Sequence, residues 1–245
     1  LFVVLDRPNP VNGETVEGPV LDPSIRHFTA YLPVPVRHGM TMGELAVLHN
    51  LTGGVGAQLE VVLAQGWKRE MWYDATGLAW VAPSPNMPDL EAATLYPGIG
   101  CFESTNLSVG RGTDAPFRRA GAPWMDDKAV LKRLKAARLA GIKFKRGDFT
   151  PAKSVYQGQE CRGIRMKVTD RGALRPLEVF AHFICALRDL HPKDFQPRWD
   201  EIRRLVGTDE FRRLYEAGAG PAEMISLFDA GARDFKARRA AFLLY

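Results

Sequence analysis

The sequence predicts an α/β protein with a parallel or mixed sheet in its first half. The run LFVVLD at positions 1–6 is continuously apolar and ends in Asp6, as is typical of a strand buried on both faces. AQLEVVLA at 57–64 predicts a second strand, and a helical pattern lies between the two. After Trp124 the pattern changes to amphipathic helices and alternating strands, so we expect one domain over 1–124 and a second over 125–245.

The composition is that of an ordinary soluble globular protein, with 46% hydrophobic and 25% charged residues among 245. The sequence has no run of about 18 apolar residues, so no membrane span is predicted. The net charge of +5 is spread along the chain without a recognised nucleic-acid-binding motif, so no nucleic-acid partner is expected. Three cysteines are too few for a disulfide framework; buried thiols are expected, and one disulfide remains an alternative.

Turn-forming residues follow the first predicted strand in RPNPVNGETVEGP. They would hold Asp6, Arg7, Asn9 and Asn12 at the carboxyl edge of the sheet, where open α/β folds bind ligands. The alternative is that this segment is a plain connecting loop.

A capping box predicts the start of the first helix. Thr41-Met42-Gly43-Glu44 has the Thr-x-x-Glu spacing and opens TMGELAVLHNL. Arg37 and His38 precede this helix N-terminus, where free N–H groups favour anions. They are candidates to bind a carboxylate, a phosphate or a sugar hydroxyl; the alternative is that they brace the local loop.

The segment 81–124 is rich in proline and glycine but retains apolar anchors, so an ordered functional loop is favoured over disorder. Within it, PDLEAATLY predicts a short helix and IGCFES a strand. That strand would carry Glu103 at its C-terminal end, as the first strand carries Asp6.

The second half is predicted to be a mixture of helices and strands. DDKAVLKRLKAARLAG predicts an amphipathic helix closed by Gly141, and PLEVFAHFICALRDLHP an apolar helix ended by Pro192. IKFKRGDFTP and GIRMKVTDR predict strands, and further helices are expected around Trp199, in FRRLYEAG and in AEMISLFDAGARDFKARRAAFLLY. Six arginines of these last helices are expected on solvated faces: Arg203, Arg204, Arg212, Arg213, Arg238 and Arg239.

The sequence lacks the signature motifs of several common classes of cofactor site, metal site and enzyme. GIGCFE and GRGTDA have paired glycines without the third glycine of a dinucleotide site or the Lys-Ser/Thr of a phosphate loop. HExxH, G-x-S-x-G and metal-ligand spacings are also missing, which argues against a built-in zinc site and against an α/β-hydrolase. Carboxylates, amides and guanidinium groups on loops suit a carbohydrate site, although a protein that only binds a polar ligand would use the same groups.

Long motifs in a fixed order carry a family resemblance. They are VVLDRPNPVNGETVEGPVLDP, PVPVRHGMTMGELA, GWKREMWYDATGLAWVAPSPNMP, YPGIGCFESTNLSVGRGTDAPFRRAGAPW, SVYQGQECRGIRMKVTDR and the closing FLLY. Together they resemble the NamZ-type exo-β-N-acetylmuramidases over essentially the whole chain.

The resemblance implies part of a Rossmann-like catalytic domain followed by a smaller α+β C-terminal domain, with the site in the cleft between them. It implies a glycoside hydrolase that releases N-acetylmuramic acid from the non-reducing ends of peptidoglycan fragments or muropeptides, without a metal or nucleotide cofactor. A secreted or periplasmic location is expected on the same ground, and the oligomeric state is left open. The alternative is a non-catalytic glycan- or muropeptide-binding protein.

Two departures from the family pattern qualify these expectations. Family members carry a further N-terminal part with a Pro-Glu-His-Gly segment, whose glutamate is a candidate catalytic acid, and this chain has no counterpart. We therefore expect a fragment or cleaved form that is inactive alone. Ser104 stands where the family has glycine, and a positive φ there would cost about 1 kcal/mol or more.

The candidate site residues follow from the resemblance and from loop position. Glu103 is the candidate catalytic or substrate-orienting carboxylate, and Arg37 and His38 are expected to hold a lactyl carboxylate or an acetamido group. Sugar contacts or loop braces are expected at Asp6, Arg7, Asn9, Asn12, Asn86, Asn106 and Arg111. Tyr156 and Glu160, in the second predicted domain, are expected to close the cleft.

Overall fold

A computed structural model describes residues 1–245 and begins with a β-α-β unit. Strand β1 (Phe2–Leu5) and strand β2 (Leu59–Val62) pair in parallel, with Phe2 opposite Leu59 and Leu5 opposite Val62. Helix α1 (Met42–Thr52) connects them. Both strands and the helix were expected from the sequence, and the α/β class is confirmed.

The capping box at the start of α1 is formed as predicted. The Thr41 hydroxyl accepts the Glu44 N–H at 3.2 Å, and the Glu44 carboxylate accepts the Thr41 N–H at 2.9 Å. Gly43 allows α1 to approach the strands closely, because a Cβ atom there would lie 2.6 Å from Val61 and 2.8 Å from Asp6. The start of the helix is thereby fixed at the carboxyl end of β1.

The expectation that β1 is buried on both faces is wrong. Phe2 is 62% exposed and Leu5 is 71% exposed. The sheet has only two strands and α1 packs against it, so no other layer covers these side chains. A run of apolar residues predicts a strand here but does not establish what surrounds it.

The segment after residue 81 contains helix α2 (Leu90–Ile99), as predicted, but IGCFES is not a strand. Gly100–Ser104 continues α2 as a 3₁₀ helix, and Phe102 packs edge-on against Phe180 and Phe183. Periodicity cannot distinguish so short an apolar run from buried helix. Ser104 is not among the residues with positive φ, so the strain considered there is not present.

The chain from Arg119 onward contains a three-stranded antiparallel sheet and the remaining helices. The sheet has the order β3-β5-β4, with β3 at Arg119–Ala122, β4 at Ile142–Arg146 and β5 at Arg162–Val168. The helices are α3 (Asp127–Ala136), α4 (Pro176–Leu190), α5 (Trp199–Val206), α6 (Glu210–Glu216) and α7 (Pro221–Arg239).

Most of these elements match the sequence prediction, with differences at β3, at the end of α3 and at the end of α7, which stops at Arg239 before the closing FLLY. Strand β3 was not predicted, because its four residues, RAGA, carry no apolar alternation of their own. Helix α3 ends at Ala136 instead of at Gly141. Gly141 has a φ of 70° and turns the chain into β4, where a Cβ atom would lie 2.1 Å from the Asp170 carbonyl oxygen.

One large hydrophobic core of 33 buried residues extends from Met87 to Phe228. Apolar side chains on one face of the antiparallel sheet, including Phe144 and Ile164, pack there with α2, α3 and α4. This core crosses the boundary predicted at Trp124, and the division into two domains stays a prediction.

Helix α7 returns to the β-α-β unit. Phe235 is buried in a small cluster with Met40, Leu45 and Leu48. Arg239 is 2% exposed, so the expectation of a solvated face is wrong for this arginine, whereas the other five are at least partly exposed. All three cysteines are buried free thiols, and no helix is long and apolar enough to cross a membrane.

Candidate functional site

Asp6 lies at the carboxyl end of β1 and organises the start of α1. Its Oδ1 accepts the backbone N–H groups of Arg7 (2.9 Å) and Gly43 (2.8 Å). Its Oδ2 accepts the hydroxyls of Thr41 (2.6 Å) and Tyr245 (2.9 Å). Four hydrogen bonds engage this buried carboxylate, so Asp6 positions the backbone around it.

A buried charged cluster lies beside Asp6. The Glu44 carboxylate pairs with Arg69 and accepts the Leu244 N–H at 2.9 Å. The Arg239 guanidinium donates to the carbonyl oxygens of His38 (2.8 Å), Gly39 and Glu14 (3.1 Å). Burial and the charge of Arg69 lower the pKa of Arg239 to about 10.

Sequence reasoning missed this cluster. Its contacts join positions about 200 residues apart, which periodicity cannot detect. The one available signal was the family-like FLLY ending, which contains Leu244 and Tyr245.

Four of the predicted ligand residues line one cavity at the sheet edge. It has a volume of about 260 Å³, and its walls include Arg7, Asn9, Arg37 and His38. A neighbouring cavity of about 440 Å³ shares Arg7 and Pro8 with the first and adds Asp6, Trp67 and Tyr73. The expectation that these loops meet at the carboxyl end of β1 agrees with this arrangement.

Arg37 is occupied inside the chain. One terminal nitrogen donates to Glu17 at 2.7 Å and the other to the Val11 carbonyl oxygen at 2.7 Å. Burial raises the pKa of Glu17 and lowers that of Arg37, and their mutual attraction opposes both shifts. Of the guanidinium nitrogens, Nε has no partner. This geometry favours a bracing role for Arg37 over a direct ligand contact.

Arg7, in contrast, is free. Its backbone N–H binds Asp6, whereas its exposed guanidinium makes no hydrogen bond or ion pair. It lies on the wall shared by the two cavities. Of the two arginines, Arg7 is the one whose donors are available to an anionic ligand.

His38 faces the same cavity as a neutral ring. Burial and the charge of Arg239 lower the pKa of His38 to about 4. Its Nδ1 accepts the Met40 N–H at 3.1 Å, so the neutral ring carries its proton on Nε2. His38 can therefore donate one hydrogen bond but supplies no positive charge at neutral pH.

The predicted asparagines of this region shape loops. Asn9 donates to the Met40 carbonyl oxygen at 3.0 Å and accepts the Val11 N–H at 3.1 Å. Asn12 has a φ of 64° and accepts the N–H groups of Glu14 and Thr15. Asn12 lines a third cavity, of about 470 Å³. Asn86 is half-buried, its side chain makes no hydrogen bond, and it lines none of these three cavities.

Glu103 and Arg111 form a separate pair. Both carboxylate oxygens of Glu103 accept from Arg111, the Oε2 bond being 3.0 Å. The hydrogen bond with Glu103 raises the pKa of Arg111, whose guanidinium lies 5.2 Å from the Phe117 ring centre. Both side chains are partly exposed, but neither lines the two cavities that Arg7 joins.

Asn106 and Tyr156 are engaged with their neighbours. The Asn106 side chain donates to the Asp194 carbonyl oxygen and accepts the Gln196 N–H, both at 2.8 Å. The Tyr156 hydroxyl donates to the Asn106 carbonyl oxygen and accepts from Trp124, again at 2.8 Å. The pair brings the predicted halves of the chain together, and its geometry favours bracing. Glu160 is exposed.

No group of three or more His, Cys, Asp or Glu side chains is arranged to hold a metal ion. The polar groups described here offer hydrogen-bond donors, one free guanidinium and one partly exposed carboxylate. These groups are suited to a polar, anionic ligand such as an acidic sugar.

Two family models together match almost the whole chain. The model described as "Exo-beta-N-acetylmuramidase NamZ, N-terminal" matches residues 1–91, and the one described as "Exo-beta-N-acetylmuramidase NamZ, C-terminal" matches residues 94–245. Among curated proteins, the peptidoglycan β-N-acetylmuramidase NamZ of Bacillus subtilis (strain 168) is 38% identical over 245 residues. The match covers 100% of this chain and 59% of that protein.

Two crystal structures of DUF1343 family proteins from Bacteroides fragilis have the same fold. BF0371 superposes with a TM-score of 0.91 at 27% identity, covering 100% of this chain and 66% of that one. BF0379 superposes with a TM-score of 0.76 at 29% identity, covering 99% of this chain and 65% of that one. The chain thus spans about two thirds of the length of these solved structures.

Proposed function

Because the chain belongs to the NamZ exo-β-N-acetylmuramidase family, we propose that it acts in a glycoside hydrolase that releases N-acetylmuramic acid from the non-reducing ends of peptidoglycan fragments. The observation that carries this proposal is the 38% identity to the Bacillus subtilis enzyme over all 245 residues. The chain spans 59% of that relative, so the activity of the whole protein is proposed for it. In this proposal the protein acts on the cell wall and is secreted or periplasmic.

In this proposal the two cavities joined by Arg7 bind the terminal sugar. The exposed Arg7 guanidinium binds the lactyl carboxylate, which requires a donor pair that is not already occupied. His38 donates from Nε2 to a hydroxyl or acetamido oxygen. Arg37 acts on the ligand only indirectly, by holding the loop at Val11 through its pair with Glu17.

Glu103 is proposed as the catalytic or substrate-orienting carboxylate. Unlike the buried Asp6, Glu103 has 27% of its side chain accessible. Its bidentate pair with Arg111 fixes the direction of both oxygens, and a substrate hydroxyl approaching Glu103 would compete with Arg111 for them. Tyr96 and Phe117 form the apolar side of this pair, with ring centres 4.8 Å apart.

A second candidate function, glycan binding without hydrolysis, is favoured by one observation. The only acidic residue that lines the two cavities at Arg7 is Asp6, and its oxygens already accept four hydrogen bonds. Glycoside hydrolysis by the usual mechanism needs a pair of carboxylic acids at the scissile bond. These cavities alone therefore provide binding groups without a free acid.

A chromogenic β-N-acetylmuramide distinguishes the two functions. We expect the full encoded protein to release the chromophore and to remove terminal N-acetylmuramic acid from soluble peptidoglycan fragments, as followed by mass spectrometry. Calorimetric binding of a muramyl ligand without product after prolonged incubation would instead establish the binding function. If the protein neither binds the muramyl ligand nor releases product, both proposed functions are overturned.

A further inference from the structure

The antiparallel sheet β3-β5-β4 has one apolar face and one basic face. Ile142, Phe144, Ile164 and Met166 face the main core. The alternate positions carry basic side chains on the outer face, and they are Arg119, Lys143, Lys145, Arg165 and Lys167. We call this outer surface, defined by these five residues, the basic sheet face.

The strand register places like charges directly opposite one another. Arg165 in the central strand is opposite Arg119 on one side and Lys145 on the other. Lys143 is opposite Lys167 in the same sheet. Like charges in directly opposite positions destabilise a sheet, so this arrangement does not serve the stability of the fold.

Neighbouring carboxylates compensate only the margins of this face. Glu91 lies 3.3 Å from Lys167, and Asp114 lies 2.9 Å from Arg119. No carboxylate lies within 4.0 Å of Lys143, Lys145 or Arg165. Burial lowers the pKa of Arg119, and the charges of Arg165 and Arg118 lower it further against the opposing effect of Asp114. The centre of the face therefore carries unneutralised positive charge.

Four of the five residues of the basic sheet face, all except Arg119, line a recess. A cavity of about 330 Å³ is lined by Glu91, Ala115, Arg118, Lys143, Lys145, Arg165, Met166 and Lys167. Five of these eight residues are basic, one is acidic and none is aromatic. Without aromatic groups for base stacking, the recess is poorly suited to single-stranded nucleic acid and better suited to small anionic groups.

We propose that the basic sheet face binds the free carboxylates of the peptide stems of peptidoglycan, as a polymer-holding site separate from the cavities at Arg7. The proposal rests on the proposed function, because charge complementarity to an anionic wall polymer selects the occupant. Ammonium and guanidinium groups that lack internal partners are available to several carboxylates along one polymer. The site would keep the protein on the wall between successive cleavage events.

Co-sedimentation with insoluble peptidoglycan tests the proposal on the full encoded protein. The test variant is Lys143→Gln/Lys145→Gln/Arg165→Gln. The control variant, Lys128→Gln/Lys132→Gln/Arg204→Gln, removes the same types of charge at exposed positions outside the basic sheet face. We expect the test variant to bind about tenfold more weakly than the wild type and the control variant to bind normally. Equal binding by both variants would overturn the proposal.

The chemistry of the wall distinguishes the possible occupants. The wild-type protein should no longer bind peptidoglycan whose carboxylates have been converted to amides. It should still bind wall from which the phosphodiester polymers have been removed. Undiminished binding to amidated wall, or binding that requires the phosphodiester polymer, would contradict the carboxylate assignment. Salt should weaken the wild-type interaction and leave little difference between the two variants.

Two further measurements separate this proposal from the catalytic one. The test variant should hydrolyse a soluble chromogenic muramide at the wild-type rate, because that substrate has no peptide stem. Wall binding through the basic sheet face with no release of N-acetylmuramic acid would remove the proposed hydrolysis and leave the binding site standing.

The melting temperature of the test variant should stay unchanged or rise, since like charges are removed. A fall would assign these residues a structural role instead.

Discussion

The hydroxyl of Tyr245 donates a hydrogen bond to the Asp6 carboxylate at 2.9 Å, between residues 239 positions apart. The same hydroxyl accepts the Ala64 N–H at 2.7 Å, just beyond β2. One side chain thus connects the ends of both parallel strands to the C-terminal segment. Burial raises the pKa of Tyr245 to about 12, and the interaction with Asp6 contributes to this shift.

Tyr245→Phe should destabilise the protein by about 1–3 kcal/mol, because it leaves the Asp6 carboxylate and the Ala64 N–H each without one partner. Urea unfolding followed by circular dichroism measures the change. Tyr31→Phe is the matched control, since Tyr31 is exposed and should tolerate loss of its hydroxyl. Equal stability of the two variants would mean that the Tyr245 bonds contribute nothing.

Arg239→Ala should destabilise the protein by about 2–5 kcal/mol, because three carbonyl contacts of a buried guanidinium are lost. Arg238→Ala removes the adjacent exposed arginine and should cost less than about 1 kcal/mol. Thermal unfolding compares the two variants. Similar losses in both would contradict the bracing role of Arg239.

Stability should fall as the pH decreases from about 6.5 to about 4. The pKa of His38 in the folded protein is about 4, below its ordinary value of 6.5, so the unfolded chain binds the proton first in this range. The stability contributed by the neutral ring is complete above pH 6.5 and is lost as the pH falls towards 4.

His38→Asn should flatten this part of the pH profile, since the Asn oxygen can accept the Met40 N–H without titrating. His27→Asn, at an exposed position, is the control. Urea unfolding across the pH range measures both. A His38→Asn profile as steep as that of the wild type would assign the acid sensitivity to other groups.

Glu103→Gln should lower the turnover of a chromogenic muramide by about 100-fold or more if the carboxylate takes part in the reaction. Glu216→Gln disrupts another carboxylate–arginine pair, with Arg212, at an exposed position and should leave turnover unchanged. The circular dichroism spectrum should be preserved in both. Wild-type turnover in Glu103→Gln would remove Glu103 from the site.

Arg7→Gln should raise KM about 10-fold to 100-fold with little change in the free energy of unfolding, because the lost charge-assisted bonds are made only to the ligand. Arg26→Gln, at another exposed arginine, should leave KM unchanged. A loss of stability in Arg7→Gln without a change in KM would show that its role lies inside the chain.

Local signals in the sequence predicted much of the fold. Thr41 and Glu44 specify the start of α1 through their own spacing, and the apolar run of α4 is sufficient to identify a buried helix. The turn chemistry after β1 also predicted that Arg7 and Asn9 would meet at its carboxyl end.

The remainder depends on contacts between distant positions. Gly100–Ser104 becomes helical because Phe102 packs against α4, and β3 exists because β5 supplies its partner. Sequence made Arg37 a candidate ligand residue, but in the fold its guanidinium pairs with Glu17. Such pairings across distant residues are not encoded in periodicity, so sequence could nominate these side chains but could not assign their partners.

The junction at Asp6 also has a consequence for the order of folding. Residues 244 and 245, which complete the hydrogen bonds of Glu44 and Asp6, leave the ribosome long after the β-α-β unit does. During synthesis the Asp6 and Glu44 carboxylates therefore lack these partners until residues 244 and 245 have been made. The β-α-β unit should reach its final protection from hydrogen exchange only when the C-terminal segment packs against it. These contacts between the two ends of the chain lie at the edge of the proposed sugar site.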